Sequence, residues 1–497
     1  MRRPGKHRRW WAAALAALLL AYPARAEEKE DYAELEQLVR QFAEVYSIVE
    51  THEADPITPY LAFYSGAIPG MLRRLDPHSV FFDPDQFAQL SELQKATRKG
   101  FGSVVSLLPG RVFVLQTLPG TPSARSGMEP GDEMLAINGI ALSRLSVDQL
   151  VALLSQSRRR KVSLAIRRAG ASRLIAITME PASMESASVD LAFLVRPGIG
   201  YLRIKSFEAD TGREVKKAIE RLGGKGLRGL ILDLRRNRGG IMAAALETAA
   251  LFLEPGKVIV SVRGRSAKSE EIKVPEGATP YRFPVSVLIN EESASGAEIV
   301  AGALQDHDRG EIVGLPSFGK GLVQNVFRLS EGTGLALTTA FYYTPSGRSI
   351  QRPLKGVQLS RETVKQETVY HTDEGRPVRG GGGIQPDYVV FPEPMSRLRI
   401  VLEASGSFPT FATKTIRSRG AIDDTFEVDS ELLDDFQTWL VQRNIQPSIS
   451  EWSPEREWIR SRLKQEIFNQ ALGVAKGDEV ELERDPEVRK ALELVQQ

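Results

Sequence analysis

Between residues 200 and 313 short apolar runs alternate with amphipathic stretches, and this alternation constrains the fold more than any other feature of the chain. Residues 200–204, 229–234, 258–262, 285–289 and 311–313 read as strands, with 212–222, 242–253 and 295–305 as helices between them. Strands joined through helices need crossover connections, so the order predicts an α/β domain with a mostly parallel sheet. The preceding stretch has another rhythm. Residues 103–107, 111–117, 133–137, 161–167 and 172–178 alternate apolar with polar, punctuated by Pro109-Gly110, Pro119-Gly120, Pro130-Gly131 and Asn138-Gly139, and one helix, 146–157, lies among them. That predicts a small β domain carrying a helix.

Helical patterns flank these two regions. Leu35, Leu38, Val39, Phe42, Val45, Tyr46 and Val49 have the spacing of one buried helical stripe, and a second helix over 60–75 runs into Asp76-Pro77. After Pro386-Asp387 the chain turns helical again, with Ser430 and Ser453-Pro454 as starts for helices over 431–443 and 455–473. At the N-terminus Arg2, Arg3, Lys6, Arg8 and Arg9 precede an apolar run over 10–22 that closes on Ala24-Arg25-Ala26. A run of about 13 residues is short of the roughly 20 needed to span a bilayer, so a cleaved signal peptide is expected, with an exported, periplasmic chain beginning near Glu27. The alternative is an uncleaved anchor, which would be the chain's sole membrane contact.

The 497 residues suffice for about three domains. Lys and Arg (65) nearly balance Asp and Glu (63), which removes the concentrated basic face that a nucleic-acid partner would need. With no cysteine there is no disulfide, thiol nucleophile or zinc-thiolate site, and the five histidines are scattered, so neither a catalytic metal nor any other cofactor is expected.

Three segments carry candidate chemistry. The strand over 285–289 leads through Asn290-Glu291-Glu292-Ser293-Ala294 to Ser295-Gly296 at a helix start, where free N–H groups and the helix dipole favour a developing oxyanion; plain N-capping would explain the same serine. Further on, Lys320 stands in Gly319-Lys320-Gly321. A lysine in an apolar setting loses proton affinity and can serve a serine as general base, whereas an exposed loop lysine cannot. The same loop narrowly misses a phosphate-binding signature, because Gly321 stands where Ser or Thr should hold magnesium. The third segment, Asp233-Leu234-Arg235-Arg236-Asn237-Arg238-Gly239-Gly240, is a strand ending in a turn whose glycines let the backbone approach a ligand. His307, which a Ser/His/Asp triad would require, lies in a charged turn over 305–309 that reads as solvated.

Taken together, Asp76-Pro77-His78-Ser79, the Asp233 to Gly240 turn, the Ser293 to Glu298 turn, Phe318-Gly319-Lys320-Gly321-Leu322-Val323-Gln324, the segment 343–350 and Gly383-Ile384-Gln385-Pro386-Asp387 closely resemble the motifs of the carboxyl-terminal processing (tail-specific) peptidases, in that family's order. The resemblance covers roughly residues 42–387. It implies that Ser295 is the nucleophile, Lys320 the general base and Gln324 the residue orienting the lysine. It further implies an oxyanion hole from the Gly296 N–H and an N–H of the Gly239/Gly240 turn. The family usually has Ala where this chain has Gly296, and the loop over 351–379 is longer than the commonest form.

Residues 97–181 resemble the family's PDZ domain, a fold that adds a substrate's C-terminal strand to an open sheet edge. Gly100, Phe101, Gly102 and Ser103 match its carboxylate-binding loop. The resemblance thus implies a multidomain α/β protein: a signal peptide (1–26), an N-terminal helical region (27–96), the PDZ-like domain (97–181), a ClpP/crotonase-like Ser/Lys protease core (182–390) and a helical region (391–497) expected to pack or dimerise. It implies protein or peptide substrates with free C-termini, and leaves room for an adaptor protein and a homo-oligomer. The rival reading is an inactive PDZ adaptor on a protease-like scaffold.

Overall fold

The computed structural model describes residues 29–55, 57–94, 98–158, 160–184, 187–265, 269–353 and 368–497. The expected signal peptide and part of the long loop lie outside them. The chain divides into two compact units, 1–71 and 72–497. In the first, the predicted stripe forms the helix Lys29–His52, and Phe42 and Tyr46 pack on Phe63. The stripe was expected to be buried, but Leu35, Leu38, Val39, Phe42 and Val45 are between 44% and 59% exposed, and Tyr46 and Val49 are only half-buried. Periodicity gives a helix its apolar face and does not say what covers it. The second predicted helix begins as a π-helical stretch, Leu61–Ala67, and continues as Ile68–Leu75.

In the second unit, the PDZ strands run Ser103–Leu108, Arg111–Thr117, Glu133–Ile137, Val162–Arg167 and Ile175–Met179, with Ser103–Leu108 at the edge of the sheet. The helix Val147–Ser157 starts where the sequence requires it. Ser146 Oγ accepts the Gln149 N–H while the Gln149 side chain accepts the Ser146 N–H.

The predicted α/β domain is built on a six-stranded sheet. Strand β1 (Val189–Arg196) pairs antiparallel with β2 (Ile199–Ile204); β3 (Gly229–Asp233), β4 (Val285–Ile289), β5 (Glu311–Gly314) and β6 (Tyr388–Val389) follow in parallel. Period-two alternation sends Leu230 and Leu232 to one face and Ile231 to the other. The first face is covered by α1 (Thr211–Leu222), α2 (Met242–Ala250) and α3 (Gly296–Asp306), whose small residues Ala244, Ala245, Ala297 and Ala301 let the helices lie close. The second face is covered by α4 (Pro486–Val495), which buries Val488, Ala491 and Val495 against Tyr201, Ile231, Leu288 and Val313. Each valine so buried contributes about 1.5–3 kcal/mol. Most of the region after residue 390 packs around a core of its own, with Leu402, Phe408, Phe411, Phe436 and Ile459 buried, and its last helix completes the core of the sheet.

Several expectations need correction. Val258–Arg263 does not join the parallel sheet; it pairs antiparallel with Gly334–Tyr343 in a second, five-stranded sheet, because that long alternating strand offers a partner that the helix–strand rhythm hid. The helix expected at 455 begins at Ile449, since Ser448 and Glu451 form a capping box upstream, and Pro454 lies inside it. The turn 305–309 is not solvated. Gln305 and Asp306 are buried, Asp306 pairs with the fully buried Arg348, and His307 Nδ1 and Nε2 contact Asp373 (2.8 Å) and the Val258 carbonyl (2.7 Å).

The PDZ domain is seated on the C-terminal helices. Arg111 donates to the Ser405 carbonyl (2.9 Å), and Gln116 Oε1 accepts the Val474 N–H (3.0 Å).

Candidate active site

The loops leaving the C-terminal ends of β3, β4 and β5 converge, the usual place for ligands in an open parallel sheet. Ser295 immediately precedes α3 with φ 56° and ψ −111°, a region that L side chains seldom occupy. Such strain persists only where the surroundings impose it. Those surroundings are visible. Asn290 N–H donates to Ser293 Oγ, which donates to the Leu234 carbonyl, and the Ala294 N–H reaches the Asn237 carbonyl. A Cβ on Gly239 would lie 2.8 Å from Ser295 Cβ and 2.9 Å from Gly296 N. Only glycine, here at φ 89°, can bring the β3 turn that close to the serine.

A buried carboxylate joins the serine turn to the lysine loop. Glu298 Oε2 accepts the N–H of Ser295 (2.9 Å) and of Lys320 (2.9 Å), while Oε1 accepts Gly319 N–H (2.7 Å) and Ser317 Oγ–H (2.5 Å). Burial pushes its carboxyl above the ordinary range, and these donors oppose the push. With its N–H groups committed to Glu298, the loop cannot cradle a phosphate, which removes the nucleotide reading. Sequence reasoning missed this role of Glu298, for which the position three residues into α3 was the available signal.

Lys320 Nζ donates to Gln324 Oε1 at 3.2 Å, and Gln324 Nε2 donates to the His78 carbonyl at 2.7 Å. The Asp76 to Ser79 turn fixes that carbonyl. Asp76 Oδ1 accepts the N–H groups of His78 (2.7 Å) and Ser79 (2.8 Å), and Oδ2 accepts Ser79 Oγ–H (2.7 Å). Burial, and then the charge of Lys320, lower the His78 imidazole.

The β3 turn is held as firmly. Asn237 Oδ1 accepts the Gly239 N–H (2.8 Å), so that N–H is engaged, and Gly240 follows at φ 144°. Behind it the Asp233 carboxylate receives Tyr201 Oη–H (2.5 Å), the Arg235 N–H (2.8 Å) and the Arg235 guanidinium. Burial works to raise Asp233, but Arg235 outweighs it and holds the carboxyl low.

In the PDZ domain, Gly100 ends the short strand Arg98–Gly100, and the Phe101 and Gly102 carbonyls accept the N–H groups of Ser123 (2.8 Å) and Leu118 (2.8 Å). Gly102 has φ 78°, and a Cβ there would lie 2.3 Å from Thr121 Cβ. Ser103 begins the edge strand.

Residues 198–362 match Peptidase family S41, and residues 113–168 match the PDZ domain family. A carboxy-terminal-processing protease of Bartonella bacilliformis is 33% identical over 372 residues, covering 74% of this chain and 84% of the relative. The chain belongs to the carboxyl-terminal processing peptidases of family S41. A carboxyl-terminal-processing protease of Synechocystis is 35% identical over 293 residues, covering 58% of this chain and 68% of the relative. Among solved structures, a photosystem II D1 C-terminal processing protease aligns with TM-score 0.41 and 25% identity over 71% of this chain and 86% of its own. As a member of the family, the peptidase is a serine peptidase acting on protein substrates, with a PDZ domain beside an α/β protease core. Among the described residues no helix is long and apolar enough to cross a membrane.

Proposed function

We propose that this peptidase is exported and cuts polypeptides with a Ser295/Lys320 dyad after its PDZ domain has captured the substrate's C-terminus. The observation that carries the reading is the shared Glu298 oxygen: one atom accepts the backbone N–H of both the candidate nucleophile and the candidate base, fixing the two residues against each other. Neutral Lys320 Nζ takes the Ser295 Oγ proton as Oγ attacks the scissile carbonyl. Gln324, held by the His78 carbonyl, orients the amine. The Gly296 N–H and one from the Gly239/Gly240 turn receive the oxyanion; since Gly239 N–H is given to Asn237, Gly240 N–H is the favoured second donor. The lysine returns the proton to the leaving amine, and water then hydrolyses the acyl-serine by the same route.

For capture, the edge strand Ser103–Leu108 is available for strand addition, and the loop Gly100 to Ser103 offers N–H groups to a terminal carboxylate. Exposed Val147 and Val151, one helical turn apart, would suit an apolar terminal side chain. Hydrolysis of an unstructured peptide, compared between the native chain and Ser295→Ala, tests the reading. Undiminished cleavage by the variant would remove Ser295 as nucleophile, and an inert native chain would favour the adaptor.

A further inference from the structure

Arg235 does more than neutralise Asp233. Its Nε and Nη2 contact Asp233, while Nη1 reaches Asp485 Oδ2 (2.6 Å) and Glu487. Those acids stand at the start of α4: Asp485 caps the helix by accepting the Glu487 and Val488 N–H groups, and Glu487 lies in its first turn. All four charged side chains are at least about four-fifths buried, with exposures of 16% for Arg235, 2% for Asp233, 17% for Asp485 and 11% for Glu487. Three carboxyl groups thus surround one guanidinium in a setting where charge is expensive. Burial, reinforced by the charges of Asp485 and Asp233 and only partly offset by Arg235, lifts Glu487 to about 7.

The cluster adjoins both loops of the site. Arg235 opens the turn that ends at Gly239 and Gly240 against Ser295. Gly314, the last residue of β5 before the lysine loop, is so near Glu487 that an added Cβ would lie 3.0 Å from its Oε1. A solvent-screened surface pair contributes little, so a buried, helix-anchored clamp at this place calls for a reason beyond stability.

We propose that Asp485 and Glu487 are positioning residues for peptide hydrolysis: by clamping Arg235 they hold the β3 turn in the shape that presents its N–H to the oxyanion. The inference rests on the reading of Ser295 and the Gly239/Gly240 turn given above. Losing an oxyanion donor outright costs about 10²–10³ in kcat, so loosening the turn that carries one should cost about tenfold.

The test uses the full chain, an unstructured peptide substrate and a peptide boronic acid, which forms a tetrahedral adduct on a serine nucleophile. Asp485→Asn/Glu487→Ala removes both charged partners of Nη1 while keeping a capping side chain. It should lower kcat about tenfold with KM little changed and weaken the boronate by a similar factor. Asp485→Asn/Glu487→Gln, which restores an acceptor of nearly the same shape, should regain most of the loss. Unchanged kcat and boronate affinity, with Ser295→Ala inactive, would overturn the clamp alone. So would a fall in kcat that tracks a fall in Tm and is not regained with Gln. Full activity in Ser295→Ala would overturn the underlying reading and the clamp with it.

Discussion

Two turns in this peptidase are proposed to offer backbone N–H groups to a negatively charged oxygen, and they are supported very differently. The turn from Asp233 to Gly240 is backed by Tyr201, Arg235, Asn237 and the Ser293 hydroxyl, all of them buried or largely so. The loop from Gly100 to Ser103 is held by strand pairing at its two ends, by the Ser123 and Leu118 N–H groups on its carbonyls and by the Thr121 hydroxyl on Gly102. The difference follows from what each must receive. An oxyanion exists only fleetingly and repays donors fixed in advance, whereas a substrate carboxylate is a stable ligand that can settle into a loop with some give.

The largest effects should come from the rigid site. Ser295→Ala and Lys320→Ala should each lower peptide cleavage by at least about a thousandfold, and the double variant should be no worse, because nucleophile and base act as one unit. Additive losses in single-turnover kinetics would show that they do not.

Gly239→Ala comes next. The new methyl meets Ala294, Ser295 and Gly296 at 2.8–2.9 Å, so cleavage should fall about a hundredfold or more for every substrate. Gly102→Ala meets Thr121 closer still, yet it should weaken only substrates that depend on their tails. If Gly102→Ala also slows short untailed peptides in a steady-state assay, the two turns are not independent. Amidating a substrate's C-terminus should similarly weaken its capture by about 1–3 kcal/mol, measured as the change in KM.

A smaller effect concerns pH. Glu487 binds its proton more tightly in the folded chain, at about 7 against an ordinary value of 4.5, so its contribution to stability is full below 4.5 and is lost as pH rises through 7. Thermal unfolding should register about 1–3 kcal/mol between those limits, and Glu487→Gln should flatten that dependence.

The smallest effect is expected from Ser293→Ala. The residue is buried and supports the turn through Asn290 and Leu234, so its loss should cost about 1–2 kcal/mol of stability while leaving kcat within a few-fold. A loss as deep as that of Ser295→Ala would mean that Ser293 is the nucleophile.

Much of this arrangement was legible in the sequence because it is local. Strand-to-turn transitions at Asp233 and Ile289, the capping of residues 147–157 by Ser146, and the glycines at 239, 240, 319 and 321 each leave a short-range signature. The second sheet escaped notice because pairing between residues 258–263 and 334–343 is a long-range choice that alternation alone does not reveal. Glu298 was hidden by ambiguity, since an acid in the first turn of a helix is ordinary until its burial is seen. Asp485 and Glu487 left no trace at all. Their partner Arg235 lies 250 residues away, and charged residues at a helix start look like capping wherever they occur.

That separation sets an order of events during biosynthesis. Arg235, Ser295 and Lys320 all leave the ribosome long before the acids that clamp Arg235. On the proposed roles, a growing chain carries its nucleophile and base while the turn that must receive the oxyanion is still unbraced. Until α4 has been made and has docked on the sheet, cleavage should run about tenfold below its full rate.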